Sequence, residues 1–383
     1  MAGIAEFGIP TRIHFGIGAR DRIAGIVAAR SFRRVLLICD PALLGGEIYD
    51  AVIGNLKGVE TALFSGIDPE PKDKNVVAGF DVCRSHDADA IVVLGGGSAI
   101  DVAKAVAILA TNGGVISDYE GDQRFSTPPL PIIAIPSTAG TGSEVSGAAV
   151  ISDTVRNVKM AIRHPLYGPT AYAVLDPLAI RTTPHKVGVY SGIDAFVHAL
   201  ESYVSKLANP LTDAINLHAM RLISGNIRAY IADPANEEAA LNMLCGSSMA
   251  AMSFGITGTG NVHCMAMSLG GFHAVPHGLA ISLILPHVAA FNLPAVPNRF
   301  ANVARAMGEN VDNLFDEEAG AKALDAIGRM CGDLGIPSGL REVGVVPETL
   351  PMAADRCFEI NYNRWNPRFT TRDEYFDLFE RAM

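Results

Sequence analysis

The chain has 383 residues, 49% of them hydrophobic and 18% charged, enough apolar material for a large core in about two or three domains. Its net charge of -10, with lysines and arginines scattered, leaves no basic stripe and argues against a nucleic-acid partner. Apolar runs such as Gly278 to Leu285 are too short to span a bilayer, no secretory pattern opens the chain, and six widely spaced cysteines without a CxxC pair fit a reduced, cytoplasmic protein with no membrane role.

Up to about residue 184 short apolar runs alternate with turns and helical stretches. Val35–Cys39, Ala90–Leu94 and Pro131–Ile135 read as buried strands, each followed by a helix candidate. That alternation predicts a parallel sheet covered on both faces. Asp40 closes the first strand. Its carboxylate either accepts from a ribose diol and repels a 2′-phosphate, or is a solvated turn residue before Pro41. Leu94-Gly95-Gly96-Gly97-Ser98 follows the second strand and opens a helix. Three glycines let the backbone approach a ligand, and helix-start amides with their dipole suit a pyrophosphate. Position 100 is Ile, so this is not the GxGxxG fingerprint, and a plain tight turn is the other reading. Ser137-Thr-Ala-Gly-Thr-Gly-Ser-Glu144 brings hydroxyls and glycines to a third strand end. Ligands of open α/β sheets bind outside the carboxyl ends of strands, so the three loops fit one site.

After Thr182-Thr-Pro184 the strand signal stops. Ile193, Phe196, Val197, Leu200 and Val204 recur at helical spacing, as do apolar positions in 212–230, 237–253, 300–307 and 317–334. The expectation is a dinucleotide-binding α/β domain over 1–184 and an all-helical domain over 185–383. Asp194 and His198 stand four apart, on one helical face. His263 follows, then His277 in Pro276-His277-Gly278, a rigid start to a new apolar helix. Singly, a histidine has ordinary structural uses. Together, three imidazoles and a carboxylate suit a catalytic divalent metal. His273 is either a site residue or part of a surface turn. Cys264, beside His263, points elsewhere on a helix and is not counted as a ligand.

Gly95-Gly-Gly-Ser-Ala-Ile-Asp101, Ser137-Thr-Ala-Gly-Thr-Gly-Ser-Glu-Val145, Gly192-Ile-Asp-Ala-Phe-Val-His198 and Pro276-His-Gly278 resemble the iron-containing (group III) alcohol dehydrogenase family, in family order. The likeness runs from the first strands to Asn366-Pro-Arg368. It implies a Rossmann-like parallel-sheet N-terminal domain and a helical C-terminal domain, with the site in the cleft between them. It implies that Asp194, His198, His263 and His277 bind Fe2+, or Zn2+ in some members. Asp40, Gly96, Gly97, Ser98, Asp101, Thr138 and Thr141 would contact NAD, Lys159 would lie near the ribose, and Asp40 would favour NAD over NADP. A homo-oligomer, dimer or larger, is implied as well. One departure stands out. Many members carry a histidine, often proposed to relay the alcohol proton, where this chain has Met267. Either another group such as His273 relays the proton, or water and the ribose hydroxyls do, or the change is neutral packing.

The expected reaction is reversible hydride transfer between NAD(H) and a small primary alcohol or aldehyde, with the metal as Lewis acid. Gly147, Ala148 and Ala149 would leave space near the nicotinamide, with Phe254 and Met267 as further pocket residues. Rival readings are a maleylacetate reductase-like or glycerol dehydrogenase-like member, a lyase resembling dehydroquinate synthase, and a dinucleotide sensor without catalysis. The alcohol, the native metal and the physiological direction are not legible in the sequence.

Overall fold

The computed structural model describes residues 6–383. Its strands are β1 (Arg12–Phe15), β2 (Arg34–Cys39), β3 (Glu60–Phe64), β4 (Ala90–Gly95), β5 (Gly121–Asp122), β6 (Ile132–Pro136), β7 (Ala148–Asp153), β8 (Val158–Arg163) and β9 (Tyr172–Leu175). Six of them form one sheet in the order β3-β2-β4-β6-β9-β1, and every pair is parallel. Helices α1 (Arg22–Arg30), α2 (Glu47–Asn55), α3 (Asp73–Ser85) and α4 (Gly97–Asn112) connect or follow these strands.

Two-residue alternation decides which helices cover which face. Leu36, Ile38, Ile91 and Val93 share a core with Val76 of α3 and Ile100 of α4. Val35, Leu37, Val92 and Leu94 face the other way, onto Ile23 of α1 and Val52 of α2. Both faces are buried, which is why β2 and β4 read as unbroken apolar runs. β3 lies on one side of β2 and β4 on the other, so the strand order reverses there. The carboxyl ends at such a reversal form a ligand crevice.

A second sheet, β5-β8-β7, was not expected. β7 and β8 pair antiparallel across a hairpin, and β5 adds to β8. Its signal was present: Ala149, Ile151, Met160 and Ile162 are buried and alternate with exposed or half-buried neighbours, and Asn157 takes φ 55 in the turn.

The chain divides into two compact units. The first holds Met1–Thr183 and Pro234–Ser248, and the second holds Pro184–Asp233 and Met249–Met383. Helix α7 (Glu237–Thr257) therefore begins in the first unit and ends in the second. The second unit is helical: α5 (His185–Val204), α6 (Pro210–Ala232), the end of α7, α8 (Asn261–Leu269), α9 (His277–Asn292), α10 (Pro297–Ala306), α11 (Asp316–Asp333), α12 (Leu350–Ile360) and α13 (Arg372–Ala382). α5 packs on α6 and α9, while α8 packs on α9 and α12. α5 is buried almost all round from Gly188 to Val204, so it is a central helix.

The expectation that apolar runs are too short for a bilayer needs correction. Two helical segments, Glu237–Thr257 and His277–Ala295, are long and apolar enough by composition to cross one. Counting only unbroken apolar runs missed them, because Ser, Asn and Gly interrupt both. Just over half of each span is buried within the protein, as in core helices.

Candidate active site

A central helix has little room for polar groups, since a buried polar atom without a partner is costly. Yet α5 carries Asp194, His198, Glu201 and Ser202, all buried. Ser202 accepts from Asn216 Nδ2 and Thr257 Oγ1, 2.7 Å each. Asp194, His198 and Glu201 fall at i, i+4 and i+7 on one face. Asp194 Oδ1 is ringed by three imidazole nitrogens: Nε2 of His263 at 3.4 Å, and Nε2 of His198 and of His277 at 3.9 Å each. The ligand atoms of Asp194, His263 and His277 form the tightest set, all within 4.8 Å of one another. His198 stacks on His263 on one side (centroids 4.5 Å) and on Phe254 on the other (4.4 Å).

Close backbone approaches bring these helices together. Pro276 ends the turn before α9, and the next two positions are His277 and Gly278. A Cβ on Gly278 would lie 2.7 Å from Tyr190 O and 2.9 Å from Tyr190 Cβ on α5. Only glycine lets the start of α9 touch α5 so closely, and that contact delivers half-exposed His277 to Asp194. Gly260, just before α8, repeats the device: its Cβ would lie 2.9 Å from Glu201 Oε1.

Glu201 is the residue that sequence reasoning passed over. Its Oε2 accepts from His263 Nδ1 at 2.6 Å and from Gly260 N at 2.9 Å, and its Oε1 accepts from Val262 N at 2.6 Å. The available signal was a carboxylate one helical turn past His198, on the ligand face.

Asp194 Oδ1 and His263 Nε2 are buried, face each other and have no hydrogen-bond partner among the described residues. Ligands about 2.1 Å from one cation stand roughly 3.0–3.4 Å apart, so these donors surround a volume of the right size for a divalent metal. Burial works to raise the Asp194 pKa, but the imidazoles of His198, His263 and His277 outweigh it and hold the carboxyl well below the usual range. For His263 burial works downward, and Asp194 and Glu201 reverse it, pushing the imidazole up to about 9. A metal entering the site competes with that proton.

In the first unit the predicted loops meet at the carboxyl edge of the sheet. The ladder continues past the strands through Asp40 N to Leu94 O (2.9 Å) and Ser137 N to Gly95 O (3.0 Å). A Cβ on Gly96 would lie 3.2 Å from Thr138 Oγ1, and one on Gly97 would lie 2.8 Å from Thr141 Cγ2. The N-cap of α4 is Gly96, which has no side chain to cap it. The glycines thus let Thr138 and Thr141 close tightly on the start of α4, where helix-start amides suit an anion. Asp40 stands at the same carboxyl edge and accepts from Ala42 N at 3.0 Å. Ser98 Oγ donates to Pro69 O at 2.5 Å, and Lys159 pairs with Glu70 at 3.2 Å on the exposed side of β8.

Other predicted residues have distinct surroundings. The Asp101 oxygens accept from Ser143 Oγ (2.5 Å) and Val150 N (2.9 Å), tying α4 to the third loop. Gly147 is a close-approach position, with its Cβ 2.9 Å from His164 O. Ala148 O accepts from Lys104, and Ala149 lines a cavity of about 310 Å³ with Phe125 and Tyr167. His273 stands outside the imidazole ring. Thr349 gives its one proton to Val346 O, so His273 Nε2 donates to the Thr349 hydroxyl at 2.7 Å. Met267 is partly exposed and its sulfur accepts from the Tyr362 hydroxyl at 3.5 Å. Cys264 points away from the cluster, toward Cys357 O.

A glycine-rich helix start at the carboxyl edge of a parallel sheet and a carboxylate ringed by histidines are features of the metal-dependent dehydrogenases, the class to which this chain conforms. Residues 10–177 match the family model for iron-containing alcohol dehydrogenase, and residues 188–383 match the C-terminal model of the same family. The chain is 36% identical to the NAD-dependent methanol dehydrogenase of Bacillus methanolicus, covering 99% of this chain and 100% of that one. It is 37% identical to the 1,3-propanediol dehydrogenase of Klebsiella pneumoniae, over 99% of this chain and 98% of the relative. A solved 1,3-propanediol oxidoreductase superposes with a TM-score of 0.96 at 36% identity, over the whole of both chains. The chain belongs to the iron-containing alcohol dehydrogenase family. It is an oxidoreductase, and the family implies NAD(H) and a divalent metal as its working groups.

Proposed function

We propose that this enzyme carries out reversible hydride transfer between NAD(H) and a small primary alcohol or aldehyde, with Asp194, His198, His263 and His277 holding Fe2+, and Zn2+ the alternative. The observation that carries the reading is the buried Asp194 oxygen ringed by three imidazoles. When bound, the metal supplies Lewis acidity toward the substrate oxygen and the dinucleotide supplies or takes the hydride. The four side chains contribute one negative charge to that centre, and the stacked rings of Phe254, His198 and His263 hold two of the imidazoles in fixed planes. Half-exposed His277 is the side from which a small substrate reaches the centre. Phe254 and Met267 supply apolar contact there, which suits a short carbon chain.

We assign dinucleotide binding to residues 1–184 and metal binding to residues 185–383. Gly96, Gly97, Thr138 and Thr141 line the pyrophosphate site, and Ser98 and Lys159 lie on elements beside it. Asp101 acts here by holding the third loop, since Ser143 and Val150 already occupy its oxygens. Asp40 faces the ribose and disfavours a 2′-phosphate by charge. Asp40→Gly is expected to narrow the preference for NAD over NADP by about tenfold, the order of one partly screened charge repulsion. An unchanged ratio of kcat/KM for the two dinucleotides removes Asp40 from the ribose site.

The test of the whole reading is NADH oxidation with a panel of short aldehydes, on protein purified without oxygen and reconstituted separately with Fe2+ and Zn2+. Turnover that depends on metal is expected. No turnover with either metal, despite NADH binding, overturns the reading.

A further inference from the structure

We propose that Glu201 is a positioning residue that sets the affinity of the metal centre, by fixing His263 so that Nε2 faces the ion with its lone pair free. The inference deepens the metal reading above and rests on it.

Glu201 reaches the site from α5 and acts on a segment about sixty residues further along. His263 Nδ1 donates to it at 2.6 Å, and that bond keeps a proton on Nδ1, so Nε2 is the nitrogen left to give its lone pair once a metal displaces the ring's second proton. Nε2 is also the atom that faces Asp194 Oδ1 at 3.4 Å. The carboxylate is itself held. Gly260 N and Val262 N donate to its two oxygens at 2.9 and 2.6 Å, so it cannot swing away from the ring. These are amides at the start of α8, where a helix lacks internal partners and favours negative charge. One side chain thus seats the helix that carries His263, orients its ring and makes that ring a better donor. At 3% exposed, Glu201 has no room to touch substrate.

A purely structural role is separable. Asn366 Oδ1 accepts from Asn261 N at 3.3 Å, so it also caps α8, yet it forms no bond to His263. The experiment measures Zn2+ and Co2+ dissociation constants by chelator competition for wild type, Glu201→Gln, Glu201→Asp and Asn366→Ala, with circular-dichroism melts of each metal-free protein. Glu201→Gln is expected to bind about 10–100-fold more weakly, with a shifted Co2+ visible spectrum, and Glu201→Asp to fall between it and wild type. Asn366→Ala is expected to melt lower while keeping its metal constant close to that of wild type, because its side-chain bonds go to Asn261, Asn292 and Arg368 and not to the His263 ring. Folded Glu201 variants with the wild-type constant and spectrum overturn the assignment, as does an Asn366→Ala loss equal to that of Glu201→Gln. Should Glu201→Gln fail to fold, Glu201→Asp decides, because its shorter arm keeps the charge but cannot hold Nδ1 and both amides at once. Wild type that binds neither ion overturns the metal reading itself, which is a different result.

Discussion

Asp194→Ala is expected to abolish metal binding and to lower kcat/KM for NADH-dependent aldehyde reduction by at least about 10³-fold, roughly 4 kcal/mol of transition-state stabilisation. Asp194 supplies the one carboxylate among the four candidate ligands, and its Oδ1 is the atom to which all three imidazoles point. Without it, three neutral nitrogens face a dication with no counter-charge in a buried setting, and the stabilisation of a developing alkoxide at that centre is lost. Metal content after dialysis against a weak chelator, read beside steady-state kinetics, checks both halves. A metal-free Asp194→Ala protein that keeps wild-type turnover would sink the mechanism. The variant should fold, because removing Asp194 also removes an oxygen that has no hydrogen-bond partner among the described residues.

The second large effect lies in the first unit and concerns stability. Lys104 on α4 is buried, and its ammonium donates to Ala148 O at 2.7 Å, Ser146 O at 2.8 Å and Ser146 Oγ at 3.4 Å. Burial pushes it down to about 8, against the pull of Asp101 and Glu144. Those two carboxyls are pushed upward by burial and restrained by hydrogen bonds from Ser143, Val150 and Ser248 as well as by Lys104. Lys104→Met keeps the stem's volume but leaves two carbonyl oxygens short of a donor and two carboxylates short of a cation. Breaking a buried charge group from one side costs about 3–5 kcal/mol. For a unit of this size that is a fall in melting temperature of about 10 °C. Differential scanning calorimetry on wild type and variant reads it, and a shift under about 1 °C would show that Lys104 holds nothing together.

The three buried strands and the helical second half were legible because they rest on local spacing, as does the pairing of Asp194 with His198, whereas His263 and His277 joined them by donor type and resemblance. Two residues four apart on a helix share a face whatever the helix packs against. The strands were unbroken apolar runs because both faces of the sheet are covered. Glu201 was not legible in the same way. A glutamate seven after Asp194 looks like any helical glutamate until α8 brings Gly260, Val262 and His263 onto it. Asp101 shows the converse. The glycine-rich loop announced a ligand, and Asp101 was assigned to it by resemblance, whereas its bonds to Ser143 and Val150 depend on how the third loop and β7 fold back. The β7–β8 hairpin was readable from its alternation and was hidden by the stronger signal of the parallel sheet around it.

The spread of the donors along the chain has a consequence for biosynthesis. Asp194 and His198 are made early and stand ready once α5 forms, but His263 and His277 emerge only after α6, α7 and the start of α8 have been synthesised. Neither reaches Asp194 until the glycines at 260 and 278 let their backbones close on α5. A chain not yet extended past His263 therefore carries only two of the four donors, and one not yet extended past His277 only three. The donor set is complete only once α9 has begun and closed on α5, so any ion it holds also ties together helices far apart in the sequence.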